Sequence, residues 1–210
     1  ITAEEVTQMI SNQIKLNIID LRNPAEFSAE HIIGSVNPSD EELASILAEV
    51  DKSQVYILVE RAGNQVGKNL IKEMGYPAFF LYLEGGFDNW KKSAYPTLSS
   101  GDVDSFVDQS KVKHISVEDF KKLKESRSPF FLIDLRAKEQ YEKEKLEGSS
   151  NFPLEELEKR RFEIPSSRTI ILYGENALDS FQGAVRLFDL GFFNVRTFKE
   201  NFSTLKSQGL

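Results

Sequence analysis

The chain carries two copies of one pentapeptide pattern, Ile18-Ile19-Asp20-Leu21-Arg22 and Leu132-Ile133-Asp134-Leu135-Arg136. Each copy is a short apolar run that ends in a carboxylate and a guanidinium, which is typical of a buried parallel strand leaving its sheet. The copies lie 114 positions apart, and the same offset aligns Phe27 with Tyr141, Gly34 with Gly148, Ser35 with Ser149, Asn37 with Asn151, and residues 55–59 with 169–173. We therefore interpret the sequence as an internal duplication of a whole domain.

Short apolar runs alternate with amphipathic segments of helical length in both halves. This alternation predicts an α/β fold with two three-layer α/β/α domains, each built on a central, mainly parallel sheet. The predicted first domain covers residues 1–97 and the second covers residues 113–210. Residues 98–112 are small and acidic without a clear period, and we predict that they form the linker between the domains.

Composition excludes several classes of function. Hydrophobic residues make up 40% of the 210 positions and include 16 Phe, which suffices for a core in each half. The net charge of −7 and the lack of a long Lys/Arg cluster argue against nucleic-acid binding. No apolar run approaches the ~20 residues of a membrane helix, so we expect no membrane segment in this chain.

The sequence begins at Ile1 instead of Met, so we expect a processed chain or part of a larger protein. The compartment is undetermined from sequence. The cytoplasm is the default, and the periplasm or another compartment stays open because the natural N-terminus is not defined.

Cysteine is absent from the chain. Its absence excludes disulfides, thiolate metal ligands and a thiol nucleophile. The two histidines, His31 and His114, are isolated in the sequence and do not suggest a metal site. We expect neither a metal nor a cofactor.

Three separated motifs in the first half resemble the signature of rhodanese domains. They are Asp20–Phe27 with His31–Asn37, then Gly75-Tyr76, then Leu83-Glu84-Gly85-Gly86-Phe87-Asp88-Asn89-Trp90. The second half agrees at Asp134-Leu135-Arg136, Tyr141, Gly148, Asn151 and Gly191-Phe192, but Lys199-Glu200-Asn201 replaces the Gly-Gly turn. The whole chain thus resembles a tandem rhodanese, a layout of two domains.

The resemblance implies sulfur transfer through a cysteine persulfide, held in a C-R-x-G-x-R loop at the end of the central strand. Aligned backbone N–H groups and a helix N-terminus would stabilise the thiolate there. In this chain the two loops read Glu60-Arg61-Ala62-Gly63-Asn64-Gln65 and Gly174-Glu175-Asn176-Ala177-Leu178-Asp179. Glu60 and Gly174 stand at the cysteine position, so neither half is expected to perform this chemistry.

The spacing after these positions differs between the repeats. Gly75 follows Glu60 by 15 residues, whereas Gly191 follows Gly174 by 17. We therefore expect that the first loop, or the helix after it, has lost two residues and that its anion-binding geometry is altered.

Several other residues of the resemblance are predicted to have structural roles. The carboxylates and guanidinium groups at the strand ends could instead be catalytic, and Glu60 with Arg61 could form a new acid/base pair, but we favour the structural interpretation. The predicted structural residues are Asp20, Arg22, Asp134, Arg136, Gly85, Gly86 and Trp90.

The sequence therefore predicts a catalytically inactive tandem rhodanese-like module that binds a protein partner and acts in regulation or scaffolding. One alternative is an enzyme of the sulfurtransferase family, or a phosphatase-like enzyme, with a non-cysteine mechanism at residues 60–65. Another is a structural half that positions an active domain elsewhere in a larger protein.

Overall fold

The computed structural model describes residues 1–62, 65–73, 75 and 79–210. These residues form two compact units, Ile1–Leu98 and Ser99–Leu210. Gly63 and Asn64 of the first loop, and Tyr76 of the second motif, lie outside the described residues.

The first unit contains a parallel sheet with the strand order β1-β3-β4, and a separate pair of strands, β2 and β5. Its elements are α1 (Ala3–Ser11), β1 (Leu16–Asp20), α2 (Pro24–Ala29), β2 (Glu30–Ile32), α3 (Asp40–Ala48), β3 (Val55–Val59), α4 (Val66–Glu73), β4 (Phe80–Tyr82), α5 (Gly86–Lys92) and β5 (Thr97–Ser99), whose last residue is the first of the second unit.

Both faces of this sheet are buried, as the continuous apolar character of its strands predicts. Ile18 and Ile57 belong to a cluster with Trp90 on one face, whereas Ile19 and Leu58 belong to a cluster on the other face. Successive strand residues point to opposite faces, so the first unit has helices on both sides of the sheet.

The second unit contains a parallel sheet of four strands in the order β7-β6-β8-β9. Its elements are α6 (Phe106–Lys111), α7 (Val117–Glu125), β6 (Phe130–Asp134), α8 (Lys138–Lys143), β7 (Ser149–Asn151), the 3₁₀ turns Leu154–Glu156 and Arg161–Glu163, β8 (Thr169–Tyr173), α9 (Ala177–Asp189), β9 (Val195–Thr197) and α10 (Phe202–Ser207).

The duplication is visible in the strand register. Asp20 pairs with Val59 at the carboxyl ends of β1 and β3, and Asp134 pairs with Tyr173 at the same place in β6 and β8. The predicted fold class, two α/β domains with mainly parallel sheets, is confirmed.

Residues 98–112, which the sequence predicts as a linker, contain regular structure. The two units divide the chain between Leu98 and Ser99, and helix α6 lies within this segment. The backbone N–H of Ser99 donates to Asp189 Oδ2 at 3.0 Å, and Lys111 Nζ lies 2.9 Å from Asp189 Oδ1. Charged contacts thus attach residues 99–111 to α9. Because the residues that make these contacts are charged, the sequence shows no apolar periodicity in this segment.

Within the described ranges, none of the helices combines the length and the apolar character needed to cross a membrane.

Candidate functional site

The end of β1 is held by a buried ion pair. Arg22 Nε donates to Asp20 Oδ1 at 3.0 Å, and Nη2 donates to Oδ2 at 2.7 Å and to the carbonyl of Glu30 at 2.8 Å. Both side chains are almost fully buried. The guanidinium carbon also lies 3.5 Å from the ring centroid of Phe87, a cation–π contact with helix α5. One side chain therefore joins β1, β2 and α5.

The second unit repeats this arrangement. Arg136 Nη2 donates to Asp134 Oδ2 at 2.7 Å and to the carbonyl of Glu144 at 2.6 Å, and the guanidinium stacks 3.4 Å from the ring centroid of Phe202. Burial opposes the charge of Arg136, but the hydrogen bond and charge of Asp134 raise the pKa of the guanidinium above its usual value. Arg136 therefore keeps its positive charge beside Asp134 at physiological pH.

Two asparagines complete this strand-end frame. Asn37 Nδ2 donates to the carbonyls of Asp20 and Arg22, each at 2.7 Å, and Asn151 makes the same two bonds to Asp134 and Arg136 at 3.2 and 2.8 Å. Sequence comparison of the repeats aligned the asparagines without assigning them this role. Their recurrence at the same place in both repeats was the sequence feature that could have indicated it.

Glu60 occupies the position directly after β3, where α/β proteins commonly bind ligands. Its side chain is buried, with only 1% of the residue exposed. Oε2 accepts a hydrogen bond of 3.0 Å from the backbone N–H of Gly67, in the first turn of α4. A carboxylate at a helix N-terminus is stabilised by free N–H groups and by the helix dipole. The carboxylate thus supplies the negative charge at this helix start from within the chain.

The other carboxylate oxygen, Oε1, is buried and has no hydrogen-bond partner in the part of the chain that the structure describes. Tyr82 lies close by on β4, since Tyr82 pairs with Leu58 in the sheet register. Burial and the negative charge of Glu60 raise the pKa of the Tyr82 hydroxyl to about 12. Tyr82 therefore stays protonated and neutral beside the carboxylate at physiological pH.

The turn Gly85-Gly86 packs directly on the end of β3. Gly86 has φ +57°, and a Cβ there would overlap the carbonyl oxygen of Glu60. The same carbonyl accepts a hydrogen bond from Phe87 N at 2.8 Å. Trp90 is 2% exposed, and its Nε1 donates to the carbonyl of Pro96 at 3.0 Å. These contacts join α5 to the end of the central strand.

The described part of the first loop contacts neighbouring helices. Arg61 lies 2.6 Å from Glu26 Oε1 on α2, and the N–H of Ala62 donates to Asp88 Oδ2 at 3.3 Å. Gln65 borders a surface cleft of about 640 Å³ together with Tyr82 and other residues. Glu60 is not among the described residues that line this cleft.

The second loop has no room for a side chain at the nucleophile position. A Cβ on Gly174 would lie 2.7 Å from Asp179 Cβ, 3.3 Å from the backbone nitrogen of Ser180 and 3.4 Å from the carbonyl oxygen of Asn176. Asn176 caps α9, because its Oδ1 accepts a hydrogen bond of 2.9 Å from Asp179 N. The start of α9 is therefore satisfied by the loop's own polar groups.

The remaining residues of this loop contribute little that is reactive. Glu175 Oε2 accepts a hydrogen bond of 3.1 Å from Gln140 and lies 3.9 Å from a guanidinium nitrogen of Arg136. Ala177 begins α9, and Leu178 is 46% exposed. Where repeat one has Gly85-Gly86, Asn201 caps α10 by accepting from Thr204 N at 2.9 Å.

Two equivalent glycines locate the difference in loop length. A Cβ on Gly67 would lie 3.3 Å from Leu21 Cδ1, and one on Gly183 would lie 2.5 Å from Leu135 Cδ1. Each glycine precedes the next one, Gly75 or Gly191, by eight residues. Glu60 precedes Gly67 by seven residues, whereas Gly174 precedes Gly183 by nine. The two-residue difference therefore lies between the nucleophile position and the first turns of the helix.

Comparisons with known proteins identify the family of this chain. The family model for the Rhodanese-like domain matches residues 2–93 and 116–208. A thiosulfate sulfurtransferase, GlpE, of Pseudomonas aeruginosa PAO1 is 30% identical over 107 residues, which cover 50% of this chain and 94% of that protein.

Two solved structures are also similar to this chain. The crystal structure of a thiosulfate sulfurtransferase from Pseudomonas aeruginosa has a TM-score of 0.48 and 16% identity, and the match covers the whole of this chain but only 42% of that one. The 3-mercaptopyruvate sulfotransferase SseA of Escherichia coli has a TM-score of 0.37 and 15% identity, over 94% of this chain and 96% of that one. With the family match in both halves, this chain belongs to the rhodanese-like domain family and carries two copies of its domain, without a cysteine in either.

Proposed function

We propose that the chain is a catalytically inactive tandem rhodanese-like module that binds a protein partner in a regulatory or scaffolding role. The observation that carries the proposal is the buried carboxylate of Glu60 at the cysteine position, bonded to the first turn of α4. A carboxylate cannot carry a persulfide, and its charge repels an incoming thiosulfate or phosphate anion. At the second site, a Cβ on Gly174 would lie 2.7 Å from Asp179 Cβ, so a nucleophilic side chain there would require the start of α9 to shift.

The strand-end frame supports a structural use of the fold. Asp20 with Arg22, and Asp134 with Arg136, form the same buried pairs in units that lack the thiol. We assign these four residues, with Gly85, Gly86 and Trp90, to maintaining the fold. These residues maintain the fold although the thiol is absent, and one fold can support binding functions that differ from its family's catalysis.

The enzymatic alternative at residues 60–65 has less support. A general acid or base must come within hydrogen-bond reach of its substrate, and Glu60 is 1% exposed. Tyr82, its described neighbour, has a pKa raised to about 12, so it does not serve as a base at physiological pH.

We expect the chain to give background rates in a thiosulfate:cyanide sulfur-transfer assay and in a phosphatase assay with p-nitrophenyl phosphate. Glu60→Ala serves as the matched variant. Turnover by the parent chain that disappears in Glu60→Ala would show an active carboxylate and contradict the proposal.

We also expect Glu60→Cys to stay at background in the sulfur-transfer assay. Position 60 precedes Gly67 by seven residues, whereas Gly174 precedes Gly183 by nine, so we expect the anion-binding geometry around a thiol at position 60 to be altered. The thiol can be counted independently with a thiol-reactive dye in the unfolded chain. Restored transfer by this single change would show that the spacing between position 60 and Gly67 is compatible with an anion site.

A further inference from the structure

Helix α6 (Phe106–Lys111) has the reverse of the usual polarity for a surface helix. Such a helix normally buries apolar side chains and exposes charged ones. Here Asp108 is 5% exposed and the side chain of Lys111 is 14% exposed, whereas Phe106 is 83% and Val107 is 63% exposed. Val103, just before the helix, is also exposed. The apolar side chains of this helix therefore point to solvent.

A buried charge cluster fixes the helix in this orientation. Lys111 Nζ lies 2.8 Å from Asp108 Oδ1 and 2.9 Å from Asp189 Oδ1 on α9. Asp108 Oδ2 also accepts a hydrogen bond of 2.9 Å from the backbone N–H of Asp102. A Cβ on Gly101 would lie 2.9 Å from Gln182 Cα, so the backbone lies directly against α9. The exposed side chains thus lie on a segment whose backbone is already fixed, so less conformational entropy is lost when a partner binds.

The charge around these side chains is negative. Asp102 and Asp104 are exposed, and the N–H of Asp104 donates to Asp102 Oδ1 at 2.9 Å. Gln109 Nε2 donates to the carbonyl of Val103 at 2.7 Å, which holds the preceding loop against α6. Lys111 is the single basic residue in the sequence from 99 to 111, and its charge is neutralised by the two buried carboxylates.

We propose that Asp102, Val103, Asp104, Phe106 and Val107 form an acidic apolar ridge that docks an amphipathic helix of a protein partner. The partner helix presents an apolar stripe bordered by Lys or Arg, which matches the exposed Phe and Val side chains and the flanking aspartates. The same aspartates oppose binding to an anionic membrane surface. The proposal names a surface and a partner chemistry for the protein-binding role proposed above, and it rests on that role.

The test uses the full ¹⁵N-labelled chain and a synthetic amphipathic peptide of Leu and Lys, with a Leu/Glu peptide of the same pattern as the charge control. We expect the Leu/Lys peptide to shift amide signals of residues 102–111, with weaker binding at higher salt. We expect the double variant Phe106→Ser/Val107→Ser to bind about tenfold more weakly, as loss of a hydrophobic anchor does. Asp102→Asn/Asp104→Asn should also weaken binding, and the Leu/Glu peptide should not bind.

Phe193→Ser is the matched control, because Phe193 is a 64% exposed phenylalanine elsewhere in the same unit. It should bind the peptide like the parent chain. Signal shifts outside residues 102–111, or unchanged binding by the double variant, would overturn the proposal. So would a lower melting temperature of the double variant than of the control, because the side chains would then be covered within the chain. Sedimentation of the chain with phosphatidylserine vesicles would assign the ridge to a membrane instead.

The two proposals fail separately. Loss of ridge binding leaves the background rates of sulfur transfer untouched. Turnover that depends on Glu60 would remove the inactive assignment without changing the peptide titration.

Discussion

Replacing Arg22 by Met is expected to lower the free energy of unfolding of the first unit by about 3–5 kcal/mol, because it leaves a buried carboxylate without its partner. Asp20 is 0% exposed, and Arg22 provides its bidentate ion pair. The change also removes the bond to the Glu30 carbonyl and the contact with Phe87. A loss of this size is a large fraction of the stability of a domain.

The chain contains a single tryptophan, Trp90, which is buried in the core of the first unit. Urea unfolding followed by its fluorescence therefore reports on the unit that contains Arg22. Adding Asp20→Asn to Arg22→Met should recover part of the loss, since the unpaired charge is then removed. Arg61→Met is the control, because Arg61 lies in the same unit and pairs with Glu26 at the surface, where loss of the pair should cost less than about 1 kcal/mol. An unfolding midpoint for Arg22→Met equal to that of the parent would contradict the role assigned to the pair.

Gly86→Ala is expected to destabilise the first unit by about 2–4 kcal/mol, from a positive φ and a steric overlap together. The added Cβ would overlap the carbonyl oxygen of Glu60 and lie 2.9 Å from its carbon. This carbonyl cannot move freely, because it accepts the hydrogen bond from Phe87 N.

Gly34→Ala separates the two contributions. Gly34 has φ +84°, and a Cβ there would meet nothing within 4 Å, so it carries the conformational cost without the overlap. We expect it to lose only about 1 kcal/mol. Equal losses for the two variants, measured by Trp90 fluorescence in urea, would show that the overlap at Glu60 is relieved by a small shift.

The sequence predicted the fold well because the duplication doubles every signal. The tripeptides Asp20-Leu21-Arg22 and Asp134-Leu135-Arg136 mark equivalent positions in the two units. The apolar run that leads into each of them is a buried strand, β1 or β6. The absence of cysteine was likewise readable, since it depends only on residue type.

Other features depend on contacts between distant residues and could not be read in this way. The nearness of Tyr82 to Glu60 follows from the pairing of β3 with β4, which spacing along the chain does not specify. The repeats differ by two residues in the spacing after positions 60 and 174. This difference could be placed before Gly67 only because Gly67 and Gly183 lie against the equivalent leucines, Leu21 and Leu135. Helix α6 escaped prediction because its buried side is charged.

The connection between Glu60 and Gly67 sets what an engineered thiol in the first unit would need. Gly67 follows position 60 by seven residues, whereas Gly183 follows Gly174 by nine, so we expect a cysteine at position 60 to need a change in chain length as well. In the second unit the constraint is steric, because a Cβ on Gly174 would lie 2.7 Å from Asp179 Cβ and the start of α9 would have to shift. Substitutions at exposed positions of either unit leave both constraints in place.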